Sequence, residues 1–285
     1  MSPLPVPRAI AGVASLDLLT YPCSEWGLGL RETVWAANYL AERGVRVRQL
    51  RGASFESSIQ LLRERFAGPH RPDALVCVGG DDLIAVALQA TAPSGTPLGL
   101  LPIGPVNRLA ATLGLPRHDL RAAAEIALAG KLRRIDLGLI ESSSGTTTPI
   151  PPSWFATVVH AGIGGAGADR NHRTWSLAGR LRPASRGTGL SARPFRLDMA
   201  CADGACVNAV ETEGVQVSVG RAGNGGARAD DGQLEVALTG AAIRYRTTAV
   251  ALRAPGVGVT VDGTPLGQLP VTIRAVAAAQ SVVVP

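Results

Sequence analysis

Up to about residue 135, the hydrophobic pattern alternates between short apolar runs and longer stretches whose apolar residues recur at helical spacing. Short apolar runs bounded by turn residues are typical of buried strands, and a three-and-four residue spacing is typical of amphipathic helices. The predicted strands are 14–19, 45–50, 74–78 and 97–103, and the predicted helices are 30–43, 55–66, 83–91, one beginning near Asn107, and 118–129. This alternation predicts a parallel, doubly wound sheet.

Local signals place several ends of these elements. Ser54 precedes the second helix and is predicted to cap its first turn. Gly44 and Gly130 follow two of the helices, where a residue without a side chain most easily ends a helix. The run 74–78 is apolar throughout, as expected of a strand buried on both faces of a parallel sheet, and it leads directly into Gly-Gly-Asp-Asp.

After Asp136 the pattern changes to short β-type segments about ten residues apart, which is typical of a β-sandwich or barrel. A Ser/Thr/Pro-rich loop comes first, and an Arg/Gly-rich stretch with little apolar patterning follows the first segment. The predicted strands are 154–160, 195–201, 207–210, 215–219, 234–238, 248–252, 257–261 and 271–275. We therefore predict an α/β domain at 1–135, a β-sandwich domain at 136–275, and a final strand within 276–285 that returns to the first domain.

Composition narrows the function classes. The chain carries a formal net charge of +6, which attracts anions such as phosphate or an acidic lipid surface. The basic residues are scattered and do not interleave with aromatics, which argues against nucleic-acid binding. No apolar run approaches the length that spans a bilayer, so membrane contact is expected to be peripheral. Four cysteines without zinc-finger spacing indicate free thiols in a reducing cytoplasm.

Two strand-to-glycine junctions are the first candidate site. Gly79 and Gly80 follow one predicted strand, and Gly104 follows the next. Glycine after a strand lets the backbone approach a phosphate, and the next helix points its free N–H groups at the anion. Asp81 adds a carboxylate that could hold Mg²⁺ against phosphate oxygens. The alternative is that these glycines are ordinary turn residues of an α/β sheet.

The two junctions resemble the paired nucleotide-binding motifs of the bacterial diacylglycerol and sphingosine kinase family. That family writes them as GGDGT and PLGTGNDFA, and this chain has DALVCVGGDDLIAVALQA and PLGLLPIGPVNRLAATLGLP. Later segments KLRRIDLGLI, HAGIGGAGADR, GNGGARADDGQLEV and TVDGTPLGQLPVTI follow in the family's order. The resemblance covers roughly residues 12–285 and implies the family's NAD kinase-like fold, a lipid ligand, and ATP with Mg²⁺ as cofactors.

The nucleotide motifs depart from the family pattern at several positions. Asp82 replaces a glycine, so a carboxylate lies where phosphates would approach, and a position that needed a positive φ would suit Asp less well. Leu83 replaces a threonine and loses its hydroxyl. Pro105-Val106 replaces Thr-Gly, which removes a backbone N–H. Asn107 is retained, whereas Arg108 reverses the charge of the family's aspartate.

The second half contains the remaining candidates. Thr264 occupies the position of the carboxylate that the family is thought to use as general base, and threonine cannot take a proton near neutral pH. Asp231 matches the family's aspartate and could join Asp81 in a metal-linked carboxylate network. His160, His172 and Asp262 are further candidates for the family's inter-domain cleft. The histidines are more often structural in such positions.

Three hypotheses fit these residues. The first is a diacylglycerol kinase-family homologue that has lost standard kinase turnover and uses the cleft to bind or transform a hydrophobic metabolite, without a cofactor. The second is an active kinase that transfers phosphate from ATP with Mg²⁺ to a lipid alcohol, with Asp82 as a metal ligand and Arg108 holding a phosphate. The third is a regulatory partner of a true kinase. The sequence leaves the oligomeric state open, with a homodimer as one option.

Overall fold

The computed structural model describes residues 13–22, 29–105, 107–143, 150–162, 194–219, 231–239, 244–262 and 264–285. The chain divides into two compact units. The first unit contains Met1–Ile135 together with Ala278–Pro285, and the second contains Asp136–Ala277. Two strands, β5 near the middle of the chain and β16 at its end, have residues in both units.

The first unit is built on a parallel sheet with the strand order β2-β1-β3-β4-β16. The C-terminal strand therefore returns to this unit, where Val282 pairs in parallel with Leu98, as the sequence predicts. The elements are β1 (Ser15–Leu19), α1 (Leu30–Ala41), β2 (Arg46–Leu50), α2 (Phe55–Ala67), β3 (Ala74–Gly79), α3 (Asp81–Ser94), β4 (Leu98–Pro102), α4 (Arg108–Thr112), α5 (Leu120–Ala129), the start of β5 (Lys131–Ser142) and the end of β16 (Val271–Val284).

Strand β3 lies at the centre of this sheet because all of its residues are apolar or glycine and all are buried. It pairs with β1 on one side and with β4 on the other, both in parallel. The core on one side of the sheet is made mainly of the apolar faces of α1 and α5 packed on β1 and β3. A strand buried on both faces reads as a continuous apolar run, and this is what the sequence shows at 74–78.

The observed helix ends agree with the predictions for α2 and α5 and differ from them for α1 and α3. Ser54 caps α2 as expected, with its hydroxyl accepting the N–H of Ser57 and the hydroxyl of Ser57 accepting the N–H of Ser54. Gly130 ends α5 as expected. Helix α1 ends earlier than predicted, and Gly44 lies at φ +81° in the turn that follows. Helix α3 begins two residues earlier than predicted, at Asp81.

The second unit contains antiparallel strands. They are the end of β5, β6 (Ser153–Phe155), β7 (Val158–Gly162), β8 (Phe195–Cys201), β9 (Cys206–Thr212), β10 (Gly214–Val219), β11 (Leu234–Thr239), β12 (Arg244–Thr247), β13 (Ala249–Arg253), β14 (Gly258–Val261), β15 (Thr264–Gln268) and the start of β16. One sheet has the order β12-β11-β10-β7-β14-β15. In the other, β16, β13, β8 and β9 pair in that order, and β5 pairs with β6.

Both sheets of the second unit contribute to one apolar core. The core includes Phe155, Val217 and Leu252, each of which is completely buried. Alternating residues of each strand face this core, so the short period-two segments of the sequence correspond to observed strands. The predicted class, an α/β unit followed by a β-rich unit, is confirmed.

Three predicted segments of the second half are divided differently in the structure. The segment predicted as one strand at 154–160 forms two strands, β6 and β7, separated by Ala156 and Thr157. The segments predicted separately at 271–275 and within 276–285 form the single strand β16. The middle of that strand, at Ala275–Ala279, is partly or fully exposed, whereas Val282–Val284 are buried.

The core of the second unit provides a stability test at Gly138 in β5. A Cβ at this position would lie 2.0 Å from Cζ of the buried Phe155, so the ring would have to move. We expect Gly138→Ala to lower the free energy of unfolding by about 1–3 kcal/mol, because overpacking forces neighbouring side chains away from their preferred positions. Urea unfolding of the purified protein measures this difference.

The matched control is Gly258→Ala in β14. A Cβ there meets no atom within 4 Å, so the same change should leave the unfolding midpoint nearly unaltered. Equal midpoints for Gly138→Ala and the unsubstituted protein would show that Phe155 does not restrict this position.

Candidate functional site

The two glycine junctions lie side by side at the carboxyl ends of β3 and β4. Gly79 is in register with Pro102, and the N–H of Ile103 donates to the carbonyl of Gly79 at 3.3 Å. Because the strands are parallel and adjacent, the turns that follow them share one edge of the sheet. The candidate residues of the first unit that lie at this edge are Gly79, Gly80, Asp81, Asp82, Leu83, Gly104, Asn107 and Arg108.

Asp81 joins the starts of helices α3 and α4. Its carboxylate is 4% exposed and accepts the backbone N–H groups of Arg108 at 2.9 Å and Leu109 at 3.3 Å. Burial raises the pKa of Asp81, and the two N–H groups and the nearby Arg108 guanidinium oppose this shift. Asp81 therefore uses the first amides of α4, which would otherwise be available to an anion.

Asp82 and Tyr21 form hydrogen bonds with the backbone at the first glycine junction. The N–H of Gly80 donates to the hydroxyl of Tyr21 at 3.0 Å, and that hydroxyl donates to Oδ1 of Asp82 at 2.8 Å. The same Oδ1 atom accepts the N–H of Leu83 at 2.8 Å. Asp82 lies in the first turn of α3 and is not among the residues with positive φ, so the expected backbone strain at this position is absent.

The pKa values of both groups in this contact, the Asp82 carboxyl and the Tyr21 hydroxyl, are raised. Burial raises the pKa of the Asp82 carboxyl, and the bond from Tyr21 opposes that shift. Burial and the neighbouring Asp82 carboxylate raise the pKa of Tyr21 far above its usual range, so its hydroxyl keeps its proton and donates to Asp82. We name the three linked residues Gly80, Tyr21 and Asp82 the tyrosine latch.

Tyr21 was not among the predicted site residues. It lies two residues after the end of β1 and is 5% exposed. Its ring packs edge-on against Phe55 at 6.4 Å between centroids, and its carbonyl accepts Nε–H of Arg51 at 3.0 Å. A tyrosine at the carboxyl end of a buried strand was the available signal.

Leu83 has a packing role. Its side chain is completely buried, and a Cβ added to Gly79 would lie 2.6 Å from its Cδ2 atom. Glycine at position 79 is therefore required by the leucine beneath it, whether or not a ligand approaches. This is the structural alternative that the sequence left open.

The second junction is more open. Gly104 has φ +80° and a Cβ there would meet no atom within 4 Å. Asn107 is 5% exposed, and its Nδ2 donates to the carbonyls of Gly104 at 2.9 Å and Ile103 at 3.3 Å. The side chain of Arg108 is exposed. Pro105 is also exposed, and Val106 lies outside the described residues.

Binding of ATP with Mg²⁺ at this edge would need backbone N–H groups for the phosphates and carboxylates for the metal. Amides of Gly80, Arg108 and Leu109 are used by groups of the chain itself. Both carboxylates also have protein partners. Among the described residues, no group of three or more His, Cys, Asp or Glu side chains is placed to hold a metal ion. A phosphate that approached this edge would therefore have to displace these side-chain acceptors from the amides that they occupy.

The predicted residues of the second half lie in the second unit. Asp231 makes an ion pair with Arg246 of β12 at 2.6 Å and accepts the N–H of Gln233 at 3.1 Å. Thr264 begins β15 and pairs with Val261. Because β12 and β15 form opposite edges of the six-stranded sheet, the structure does not bring Asp231 and Thr264 together within this unit.

Asp262 and His160 have structural surroundings. Asp262 has φ 49°, and its carboxylate accepts the hydroxyl of Thr157 and, at 2.8 Å, the N–H of Val158, which ties the end of β14 to the start of β7. His160 lies in the middle of β7 between Gln216 and Thr260, and not at a strand end as predicted. His172 lies outside the described residues.

Comparison with known proteins agrees with this architecture. Residues 23–140 match the diacylglycerol kinase catalytic domain. A diacylglycerol kinase of Mycobacterium tuberculosis is 33% identical over 170 residues, which is 60% of this chain and 53% of that protein. The matched region thus spans about half the length of that curated relative.

Solved structures share the fold. A diacylglycerol kinase structure from Bacillus anthracis has a TM-score of 0.67 and 14% identity, covering 96% of this chain and 97% of that one. An NAD kinase from Archaeoglobus fulgidus in complex with ATP has a TM-score of 0.53 and 14% identity, covering 94% of this chain and 93% of that one. These likenesses establish the fold that the sequence resemblance implied.

The raised pKa of Asp82 generates a prediction about pH. Below the carboxyl pKa of the unfolded chain, the residue is neutral in both states, so its ionisation does not change the free energy of unfolding. As pH rises from that value to the higher folded-state pKa, the unfolded state loses its proton first, so stability falls by about 1.4 kcal/mol per pH unit across that interval. Asp82→Asn keeps an oxygen that accepts from Tyr21 and Leu83 but removes this loss.

We therefore expect the unfolding free energy of Asp82→Asn, relative to the unsubstituted protein, to increase between pH 4 and the raised pKa of Asp82 and then level off. Urea unfolding at a series of pH values measures the difference, and Asp119→Asn, at the exposed N-cap of α5, is the control. A difference that does not change with pH would show that Asp82 is not destabilised by its burial.

Proposed function

We propose that this chain, whose residues 23–140 match the diacylglycerol kinase catalytic domain and which shares the fold of a diacylglycerol kinase structure, has lost standard kinase turnover and binds or transforms a hydrophobic metabolite. The observation that carries this proposal is the tyrosine latch. The hydroxyl of Tyr21 accepts the N–H of Gly80 at 3.0 Å and donates to the Asp82 carboxylate at 2.8 Å.

Phosphoryl transfer depends on donors and cations aimed at the transferring group before the reaction begins. In this chain, a phosphate at the first junction would have to displace a buried phenol from the N–H of Gly80. The carboxylate of Asp82 would also repel it unless a cation lay between the two groups. Removal of a single positioned donor typically costs about 10²–10³ in rate, and the first amides of α4 are also used, by Asp81.

The position of the catalytic base supports the same proposal. The resemblance places the base at Thr264, and a threonine hydroxyl stays protonated near neutral pH. Absence of a general base typically costs about 10²–10⁴ in rate. The acidic candidates of the second unit are already engaged: Asp231 pairs with Arg246 at 2.6 Å, and Asp262 accepts the N–H of Val158 at 2.8 Å. The loss of backbone donors affects the positioning of the phosphate, and the loss of the base affects proton transfer. Because the two losses act on different steps, together they leave little kinase turnover.

The ligand class follows from the relatives. The Mycobacterium protein is named as a kinase of diacylglycerol, which is a lipid alcohol. We infer for this chain a ligand of the same hydrophobic character, bound without a nucleotide. Whether such a ligand is only held or also transformed depends on residues of the second unit.

An active kinase is the second candidate, and a specific observation favours it. Asp81 and Gly104 keep the family's residue types, Gly104 adopts a positive φ with open space around it, and the catalytic-domain match includes both junctions. In that case ATP and Mg²⁺ would be cofactors. Arg108 would bind a phosphate, and the tyrosine latch would open when the nucleotide binds.

The deciding experiment combines nucleotide binding with a kinase assay. We expect calorimetry to detect no binding of ATP with Mg²⁺ to the purified protein, and radiolabelled ATP to yield no phosphorylated diacylglycerol. In the double variant Tyr21→Phe, Asp82→Gly the N–H of Gly80 is released and the repelling carboxylate is removed. This variant should bind ATP at least about ten-fold more tightly, which corresponds to about 1.4 kcal/mol.

Tyr39→Phe is the matched control, because it removes a tyrosine hydroxyl that contacts Glu125 on α5 and not the glycine junctions. The active-kinase candidate requires the opposite pattern. Steady formation of phosphorylated lipid by the unsubstituted protein, lost in Asp81→Asn, would refute the loss of turnover. Equal ATP affinity in the double variant would show that the tyrosine latch does not exclude the nucleotide.

A further inference from the structure

Helix α1 has three large apolar side chains exposed to solvent. Leu30 is 41% exposed, Val34 44% and Trp35 36%, and they are the large hydrophobic residues so exposed in the described part of the chain. Isolated exposed apolar residues are normal, whereas a group of them marks a contact surface. We name Leu30, Arg31, Val34 and Trp35 the α1 face.

The α1 face is separate from the side of the helix that forms the core. The buried side consists of Thr33, Ala36, Ala37 and Leu40. These small residues already pack the helix on the sheet, so the larger apolar side chains on the outer side contribute little to that packing. Residues four apart on a helix are neighbours, so Leu30 and Val34 form one continuous apolar strip, with Arg31 and Trp35 beside it.

A stack of planar groups holds Trp35 in place at one end of the α1 face. Its ring stacks on Tyr39 at 4.7 Å between centroids, and the guanidinium of Arg43 covers Tyr39 at 3.5 Å. Arg121, from α5, approaches the same ring at 5.8 Å. Trp35 is thus a supported aromatic ring rather than a mobile side chain, and it is bordered by cations.

The charges around the α1 face favour an anionic partner. Arg31 lies within it and is exposed, and Arg43 and Arg121 lie beyond Trp35. The nearby Glu125 is paired with Arg43 at 2.9 Å. Glu32 is partly buried, and the exposed Glu42 lies at the C-terminal end of the helix. The whole chain carries +6, so its long-range field also attracts anions.

We propose that the α1 face docks on a bilayer surface that contains anionic phospholipid. Tryptophan, aliphatic side chains and flanking arginines are the combination that lies at a membrane interface, with the apolar groups inserted and the cations at the head groups. A second copy of the chain fits less well. A stable protein interface buries about 800 Å² on each partner, far more than three partly exposed side chains provide.

The docking surface rests in one respect on the proposed function, because a hydrophobic ligand is most readily taken from a membrane. The test is independent of it, since vesicle binding is measured without nucleotide or substrate. A kinase assay that overturned the proposed function would leave the vesicle result unaffected, and the reverse is also true.

Vesicle co-sedimentation of the full chain tests the proposal. We expect the protein to sediment with vesicles of phosphatidylcholine mixed with phosphatidylglycerol, more weakly with phosphatidylcholine alone, and less as salt is raised. Leu30→Ser with Val34→Ser should weaken binding at least about ten-fold, because both side chains would insert in the apolar layer. Arg31→Gln should weaken binding to the anionic vesicles about five-fold.

Two matched controls lie on the exposed surface of α2, away from the α1 face: Ala67→Ser for the loss of an apolar group and Arg63→Gln for the loss of a charge. Both should bind vesicles like the unsubstituted protein, and thermal melting shows that every variant is folded. Failure of the unsubstituted protein to sediment, or equal binding by the double serine variant, would overturn the proposal. A dimer detected by light scattering that the double serine variant dissociates would instead make the α1 face an interface between copies.

Discussion

The first unit depends on one requirement: backbone N–H groups that point out of the carboxyl edge of a buried parallel sheet must find acceptors. Helices α3 and α4 begin at this edge, and the early amides of a helix have no partner within it. Asp81 accepts the first amides of α4, Asp82 accepts the N–H of Leu83, and Tyr21 accepts the N–H of Gly80. The chain itself therefore supplies acceptors for several of the amides at this edge.

The same amides are the groups with which a sheet edge binds a phosphate. An amide satisfied by a side chain must be released before it can bind a ligand, and release leaves a buried carboxylate or phenol without its partner. Stability of the empty protein and affinity for an anion thus compete for the same donors. In this chain the competition centres on Asp82, because a glycine at that position would leave the hydroxyl of Tyr21 and the N–H of Leu83 without their carboxylate acceptor.

The limits of prediction can be seen at particular residues. The cap at Ser54 and the buried strand at 74–78 depend on contacts close in sequence, so the pattern was sufficient. The start of α3 was predicted two residues late because aspartates after glycines are also typical of a turn. In the structure the two aspartates begin the helix and bond to Arg108 and Tyr21, which are distant in sequence. Tyr21 itself lies 61 positions from Asp82, a separation that no local pattern reports.

The sequence by itself determined the class of the fold, an α/β unit followed by a β-rich unit, because that class follows from apolar periodicity. Only the tertiary structure decided which partners the site residues have. It engages Asp81 with α4, links Asp82 to a tyrosine, pairs Asp231 with Arg246 and leaves the α1 face exposed. Hydrogen bonds and burial join residues distant in the chain, and such contacts exist only once the sheet has formed.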